Sequence, residues 1–82
     1  MYKIILVKRA IKDLDKLSSD IREKILDKIN ILSDDPIGNS KKLSSPLIGT
    51  YRFRVGDYRI IFDIDKDKVV ILRIGNRKDI YK

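Results

Sequence analysis

The sequence predicts an α+β fold of order β-α-α-β-β-β, in which an N-terminal helical hairpin covers one face of a small antiparallel sheet. Three observations carry this. Apolar residues recur at helical spacing from residue 10 to residue 32, the spacing falls to two after Gly49, and a nearly continuous apolar run occupies Val69 to Ile74. The 82 residues suit one domain, residues 1–82, with a single core.

The elements follow in order. Tyr2 to Val7 reads as a strand, being short and rich in β-branched and aromatic residues. The first helix places Ala10 or Ile11, Leu14 and Leu17 on one stripe, and the second repeats the pattern with Ile21, Ile25, Ile29 and Leu32. Between them Asp20, with Glu23 three residues on, has the spacing of a capping box. Asp34-Asp35-Pro36 stops the second helix, because the residue before a proline avoids helical angles. "IGNSKKLSSPLIG" supplies loop chemistry. Tyr51, Phe53 and Val55 then alternate with Arg52 and Arg54, and Tyr58, Ile60, Phe62 and Ile64 alternate with Arg59, Ile61 and Asp63. "DKDK", Asp65 to Lys68, makes the next turn, and Val69 to Ile74 suits a central strand covered on both faces. Gly75 is expected to break that strand, leaving the tail "NRKDIYK".

If Gly56-Asp57 closes a two-residue hairpin, Val55 pairs with Tyr58, Arg54 with Arg59, Phe53 with Ile60, Arg52 with Ile61 and Tyr51 with Phe62. The aromatics then turn inward together. A slip of one residue would bury the arginines, so the core itself sets Arg52, Arg54 and Arg59 on the open face. Like charges directly opposite one another repel. The expectation is that a polyanion completes the site and that removing Arg59 leaves the fold as stable or slightly more so.

Composition narrows the chemistry. The chain has no cysteine and no histidine, which excludes disulfides, Cys/His zinc sites and imidazole acid–base catalysis. No metal and no cofactor is expected. The formal charge of +7 points to an anionic partner. Residues 1–40 hold eight Lys/Arg against seven Asp/Glu, and residues 41–82 hold eleven against five, so the partner is expected at the second half. The N-terminal apolar run Ile4 to Val7 is far too short for a signal peptide or a membrane span, and a cytoplasmic protein with no membrane contact is the expectation.

Guanidiniums on rigid strands suit phosphate, since each offers a planar fork of donors that stays charged at any relevant pH. An alternating charged face on an antiparallel sheet is more often simply solvated. Here both signs are not interspersed, and the tail adds Arg77, Lys78 and the aromatic Tyr81. A phosphate with a stacked base is a natural ligand for that set. Lys41 and Lys42 read as general electrostatic contacts to nucleic acid or as simply solvated lysines, Asp57 as a turn residue, and Arg73 as either an ion-pair partner or another phosphate contact.

The stretches "YRFRVGDYRIIF" and "RIGNRKDIY" resemble the RelE/ParE superfamily of toxins from type II toxin–antitoxin systems. The resemblance covers most of the chain, because the leading strand and helical hairpin also sit where that family has them. It implies, in the RelE-like branch, a ribosome-dependent, metal-independent mRNA endoribonuclease. Its catalytic set would be Arg52, Arg54, Arg59, Arg77 and Tyr81, with Lys41, Lys42 and Lys78 binding RNA. The implied reaction is attack of the RNA 2′-hydroxyl on its own adjacent phosphate in the ribosomal A site, with 16S rRNA contacts. The implied protein partner is a cognate antitoxin, acidic and partly disordered. Relatives carry Lys at the positions of Arg52 or Arg54, and His or Lys at that of Asn76. Arginine is a poor general base, so Arg52 and Arg54 are assigned to orientation and charge stabilisation, and deprotonation to Tyr81, the ribosome or solvent; Tyr81 reads alternatively as an aromatic that pins the tail to the sheet. Two alternatives remain open from the sequence: a ParE-like DNA gyrase inhibitor without nuclease activity, and an inactive basic domain that binds RNA or antitoxin.

Overall fold

A computed structural model describes residues 1–42 and 51–80, the side chain of Lys42 excepted. The elements are β1 (Lys3–Leu6), α1 (Lys8–Asp15), α2 (Ser19–Asp34), β2 (Lys41–Lys42), β3 (Tyr51–Val55), β4 (Tyr58–Asp65), β5 (Lys68–Asn76) and α3 (Arg77–Ile80). They form an α+β fold whose sheet has the strand order β1-β5-β4-β3-β2. All neighbouring pairs are antiparallel except β1 and β5, which run parallel, so the sheet is mixed. The expected antiparallel sheet fails only there, because β1 pairs with the last strand rather than with a hairpin neighbour, the helices and the other three strands lying between them in the chain. Two short elements are additional to the expected order: the two-residue β2 and the four-residue α3.

One helical stripe and one sheet face make the core. Ala10, Leu14, Ile25, Ile29 and Leu32 pack on Phe53, Val55, Ile60, Phe62, Val69, Ile71 and Ile74. Ala10 is fully buried whereas Ile11 is 48% exposed, which settles which of the two enters the stripe. Tyr51 stacks on Phe62 with ring centroids 5.5 Å apart and planes 19° from parallel. The second helix starts at Ser19 with Ser18 as its N-cap, earlier than the Asp20 cap the sequence predicts. Asp20 instead occupies the first turn, where an acid complements the helix dipole.

The sheet bends where β5 carries an extra residue. Ile61 lies opposite Arg73 and Phe62 opposite Ile71, so Leu72 has no partner in β4. This bulge lets Ile71 and Ile74, three positions apart, both join the core. β1 accompanies β5 only as far as Leu6 opposite Ile71. Beyond that point α1 lies against β5, and Asp13 Oδ2 accepts hydrogen bonds from the Ile74 N–H at 3.0 Å and from Arg73 Nε at 2.8 Å. Gly75 does not break the strand; it pairs with Arg59, and β5 continues to Asn76. Asn76 Oδ1 then accepts from the Lys78 N–H at 3.0 Å and starts α3. Among the described residues, no helix is long and apolar enough to cross a membrane.

Candidate nucleic-acid interface

The β3–β4 hairpin has the register the alternation dictates. Val55 faces Tyr58, Arg54 faces Arg59, Phe53 faces Ile60, Arg52 faces Ile61 and Tyr51 faces Phe62. Gly56 sits at φ +58°, and Asp57 is not among the positive-φ residues, the arrangement of a type II′ turn with glycine first. The core on the opposite face therefore sets Arg52, Arg54 and Arg59 on one side of the sheet.

β2 extends this cluster. Lys41 lies directly opposite Arg52, so a residue read from sequence as a loop lysine belongs to the same row of cations. The pair KK is too short to carry any period, which is why the strand was not legible. Lys42 pairs with Tyr51, one position along.

The arginines differ in their settings. Arg54 is exposed and Arg52 half-buried. Arg59 is only 6% exposed, and its Nη1 donates to the carbonyls of Gly56 at 2.9 Å and Tyr58 at 3.0 Å. The guanidinium is thus tied to the hairpin turn that it follows, contrary to the expectation that it stands free in solvent. Its removal should cost stability rather than relieve repulsion. The face is also less open than expected. Ile61 and Ile80 are both buried, and a Cβ added at Gly75, the partner of Arg59, would lie 3.8 Å from the Ile80 Cβ, so α3 folds against that end of the face.

Arg77 and Lys78 are exposed in α3. The Arg77 N–H donates to the Asp57 carbonyl at 3.0 Å, which pins the start of the tail to the hairpin turn. Arg54, Arg59 and Arg77 are thereby gathered at one end of the sheet, with Lys41 and Arg52 one row away. Tyr81 lies outside the described residues.

Arg73 does not join them. Its Nε is 2.8 Å from Asp13 Oδ2 on α1, and Asp13 is 8% exposed, so this arginine is an ion-pair partner in the scaffold. Sequence reasoning missed Asp13, whose signal was an aspartate between Ala10 and Leu14 on the apolar stripe. Together α1, the hairpin turn, the end of β5 and α3 wall a groove of about 720 Å³ in which Arg9, Lys16, Arg77 and Lys78 are accompanied by Asp57 and Asp79. Planar cationic forks on hydrogen-bonded strands, beside a groove of this size, can hold phosphates in a fixed geometry.

Comparison with known proteins defines the class. Residues 4–81 match the family described as "ParE toxin of type II toxin-antitoxin system, parDE". The toxin RelG of Mycobacterium tuberculosis is 36% identical over 84 residues, covering 99% of this chain and 97% of that protein. The toxin RelE3 of Methanocaldococcus jannaschii is 32% identical over 83 residues, covering 96% and 94%. In the toxin–antitoxin complex RelBE2 from Mycobacterium tuberculosis, a chain 34% identical superposes with a TM-score of 0.84 over 93% of this chain and 98% of that one. The archaeal RelE–RelB complex from Pyrococcus horikoshii OT3 gives a TM-score of 0.77 at 26% identity, over 95% and 97%. The fold and these relatives define a toxin of a type II toxin–antitoxin system. This chain belongs to the RelE/ParE superfamily, and the relatives named above carry RelE-type names.

Proposed function

We propose that the chain is a ribosome-dependent mRNA endoribonuclease held in check by a cognate antitoxin. The observation that carries this reading is the like-charged ladder of Lys41 opposite Arg52 and Arg54 opposite Arg59, closed at the turn by Arg77. Like charges across a strand pair repel, an effect that the bonds of Arg59 to the turn carbonyls offset in part and that a bound polyanion would relieve.

In the reaction, the RNA 2′-hydroxyl attacks its neighbouring phosphorus while the bond to the 5′-oxygen breaks, and negative charge gathers on the phosphoryl oxygens. Arg52 and Arg54 orient the phosphate and, with Arg59 and Arg77, stabilise that charge. The strands hold Arg52, Arg54 and Arg59, and α3 holds Arg77, before the reaction begins, which is where electrostatic catalysis gains most. Guanidiniums are poor bases, so the proton of the 2′-hydroxyl passes to Tyr81, the ribosome or solvent, and the departing 5′-oxygen takes up a proton from the ribosome or solvent. Lys41, Lys42 and Lys78 contribute contacts to the RNA backbone. RelBE relatives are seen as toxin–antitoxin complexes, which supports an antitoxin partner here. An acidic, partly disordered partner would mask the basic face.

Primer extension on a translated message after induction tests the reading, with Arg54→Ala as control. Cuts that require translation and vanish in the control are expected; growth arrest without them overturns it. Because the matching family is named for ParE, a supercoiling assay with purified gyrase is the companion experiment. Inhibition there, with no RNA cuts, would assign the chain to the gyrase-directed branch.

A further inference from the structure

The near-neutral first half of the chain conceals a segregated surface. Most of its acids lie on or just beyond α2, including Asp20, Glu23, Asp27, Asp34 and Asp35, whereas α1 and the residue after it present Lys8, Arg9, Lys12 and Lys16 to solvent. These four line one concavity of about 440 Å³ on the surface of α1. Of the two acids on α1, Asp15 is exposed, and Asp13 is turned into the scaffold and spent on Arg73 and the Ile74 N–H, with Arg9 Nε 3.7 Å from its other oxygen. Among the described residues, Lys8, Lys12 and Lys16 have no carboxylate within 4.0 Å. α1 also opens on Lys8 and Arg9 with no acid in its first turn, the reverse of what the helix dipole favours. Helix stability does not account for Lys8 and Arg9, although it favours Lys12 in the last turn and Lys16 at the C-cap.

The ridge is continuous with the candidate site. Arg9 and Lys16 line both this concavity and the groove that holds Arg77 and Lys78. We infer that the α1 ridge is a second RNA contact, a track for a single-stranded sugar-phosphate backbone leaving the groove. This rests on the proposed reading for the direction in which the strand runs. The spacing favours RNA over an acidic peptide: Lys8, Lys12 and Lys16 advance about 6 Å per step along the helix, close to the separation of successive phosphates on one strand.

The experiment measures binding of the full chain to a mixed-sequence RNA of roughly 12 nucleotides, 2′-O-methylated so that it cannot be cut, across a salt series. Lys12→Gln/Lys16→Gln is compared with Lys24→Gln/Lys28→Gln, which removes the same charge from exposed positions of α2. Each phosphate contact on a single strand contributes about 0.7 to the slope of log K against log salt, so the α1 pair should lower the slope by about 1.4 and the affinity roughly tenfold at 0.15 M. The α2 pair should leave the slope unchanged. Equal slopes for the two variants, or no measurable RNA binding by the parent, overturn the inference. So does an α1 variant that keeps its RNA slope but no longer captures the co-expressed antitoxin, which would make the ridge a protein-docking surface. Binding does not require cleavage, so a parent that makes no translation-dependent cuts yet shows the slope difference overturns the nuclease reading alone.

Discussion

The two ends of β4 arrange charge in opposite ways. At the β4–β5 turn, Asp65 lies opposite Lys68 and Lys3 Nζ is 4.0 Å from Asp67, so the signs alternate. At the β3–β4 turn, Arg54 lies opposite Arg59 and Lys41 opposite Arg52, so they repeat. The first pattern is an ordinary solvated edge, and its one exposed ion pair contributes about 0–1 kcal/mol at most. The second lowers the stability of the free protein by cross-strand repulsion. Arg59 is held by the Gly56 and Tyr58 carbonyls, so at this end it is the placement of the exposed Arg54, beside Lys41 and Arg52, that a ligand would explain.

The largest expected effect breaks this symmetry directly. Arg54→Ala should reduce translation-dependent cleavage by about a hundredfold to a thousandfold, the typical loss of one preorganised donor. Its thermal midpoint at low salt should stay level or rise slightly as repulsion is relieved. Asp65→Ala, at the other end, should leave cleavage unchanged. Equal losses of activity from the two variants would show that the hairpin end is not special.

Two further variants sharpen the contrast by separating scaffold from site. Asp13→Ala strips the acceptor from Arg73 Nε and the Ile74 N–H. Breaking a buried pair costs about 3–5 kcal/mol, and because the Arg73 side chain is 27% exposed the expected loss is nearer 2–3 kcal/mol in urea unfolding. Arg59→Ala removes the donor to the Gly56 and Tyr58 carbonyls and should cost about 1–2 kcal/mol, together with activity. A melt unchanged by Arg59→Ala would restore the expectation of a free arginine on an open face.

How much of this was legible in the sequence depended on period and distance. The hairpin register was readable because Tyr51, Phe53 and Val55 alternate cleanly with Arg52 and Arg54, and one slip would bury charge. The bulge was not, since the run Val69 to Leu72 is apolar at every position and hides the change of phase at Arg73. Asp13 was invisible as a scaffold residue because its partner lies 60 positions away and its nearest local cation, Arg9, offers a more obvious pairing. The α1 ridge stayed hidden for a related reason: summed over residues 1–40 the charges nearly cancel, and only the fold shows that Asp13 of α1 is turned inward while Lys8, Arg9, Lys12 and Lys16 face solvent. β2 and α3, at two and four residues, fall below any period that patterning can detect.

The smallest effect concerns the turns themselves. Gly56 at φ +58° and Lys66 at φ +59° hold nearly the same left-handed backbone angle at the two ends of β4. Glycine adopts that angle without steric cost, whereas a side chain adds about 1 kcal/mol. Lys66→Gly relieves this strain but also enlarges the freedom of the unfolded chain, so the net gain should be about 0.5 kcal/mol, or roughly 2–4 °C in Tm for a domain of this size. The reciprocal change isolates the backbone contribution, because a Cβ at Gly56 would meet nothing within 4 Å. Gly56→Ala should therefore cost about 1 kcal/mol from conformation alone. If both substitutions shift the melt in the same direction, the two turns do not share one strain, and the comparison between the ends must rest on charge alone.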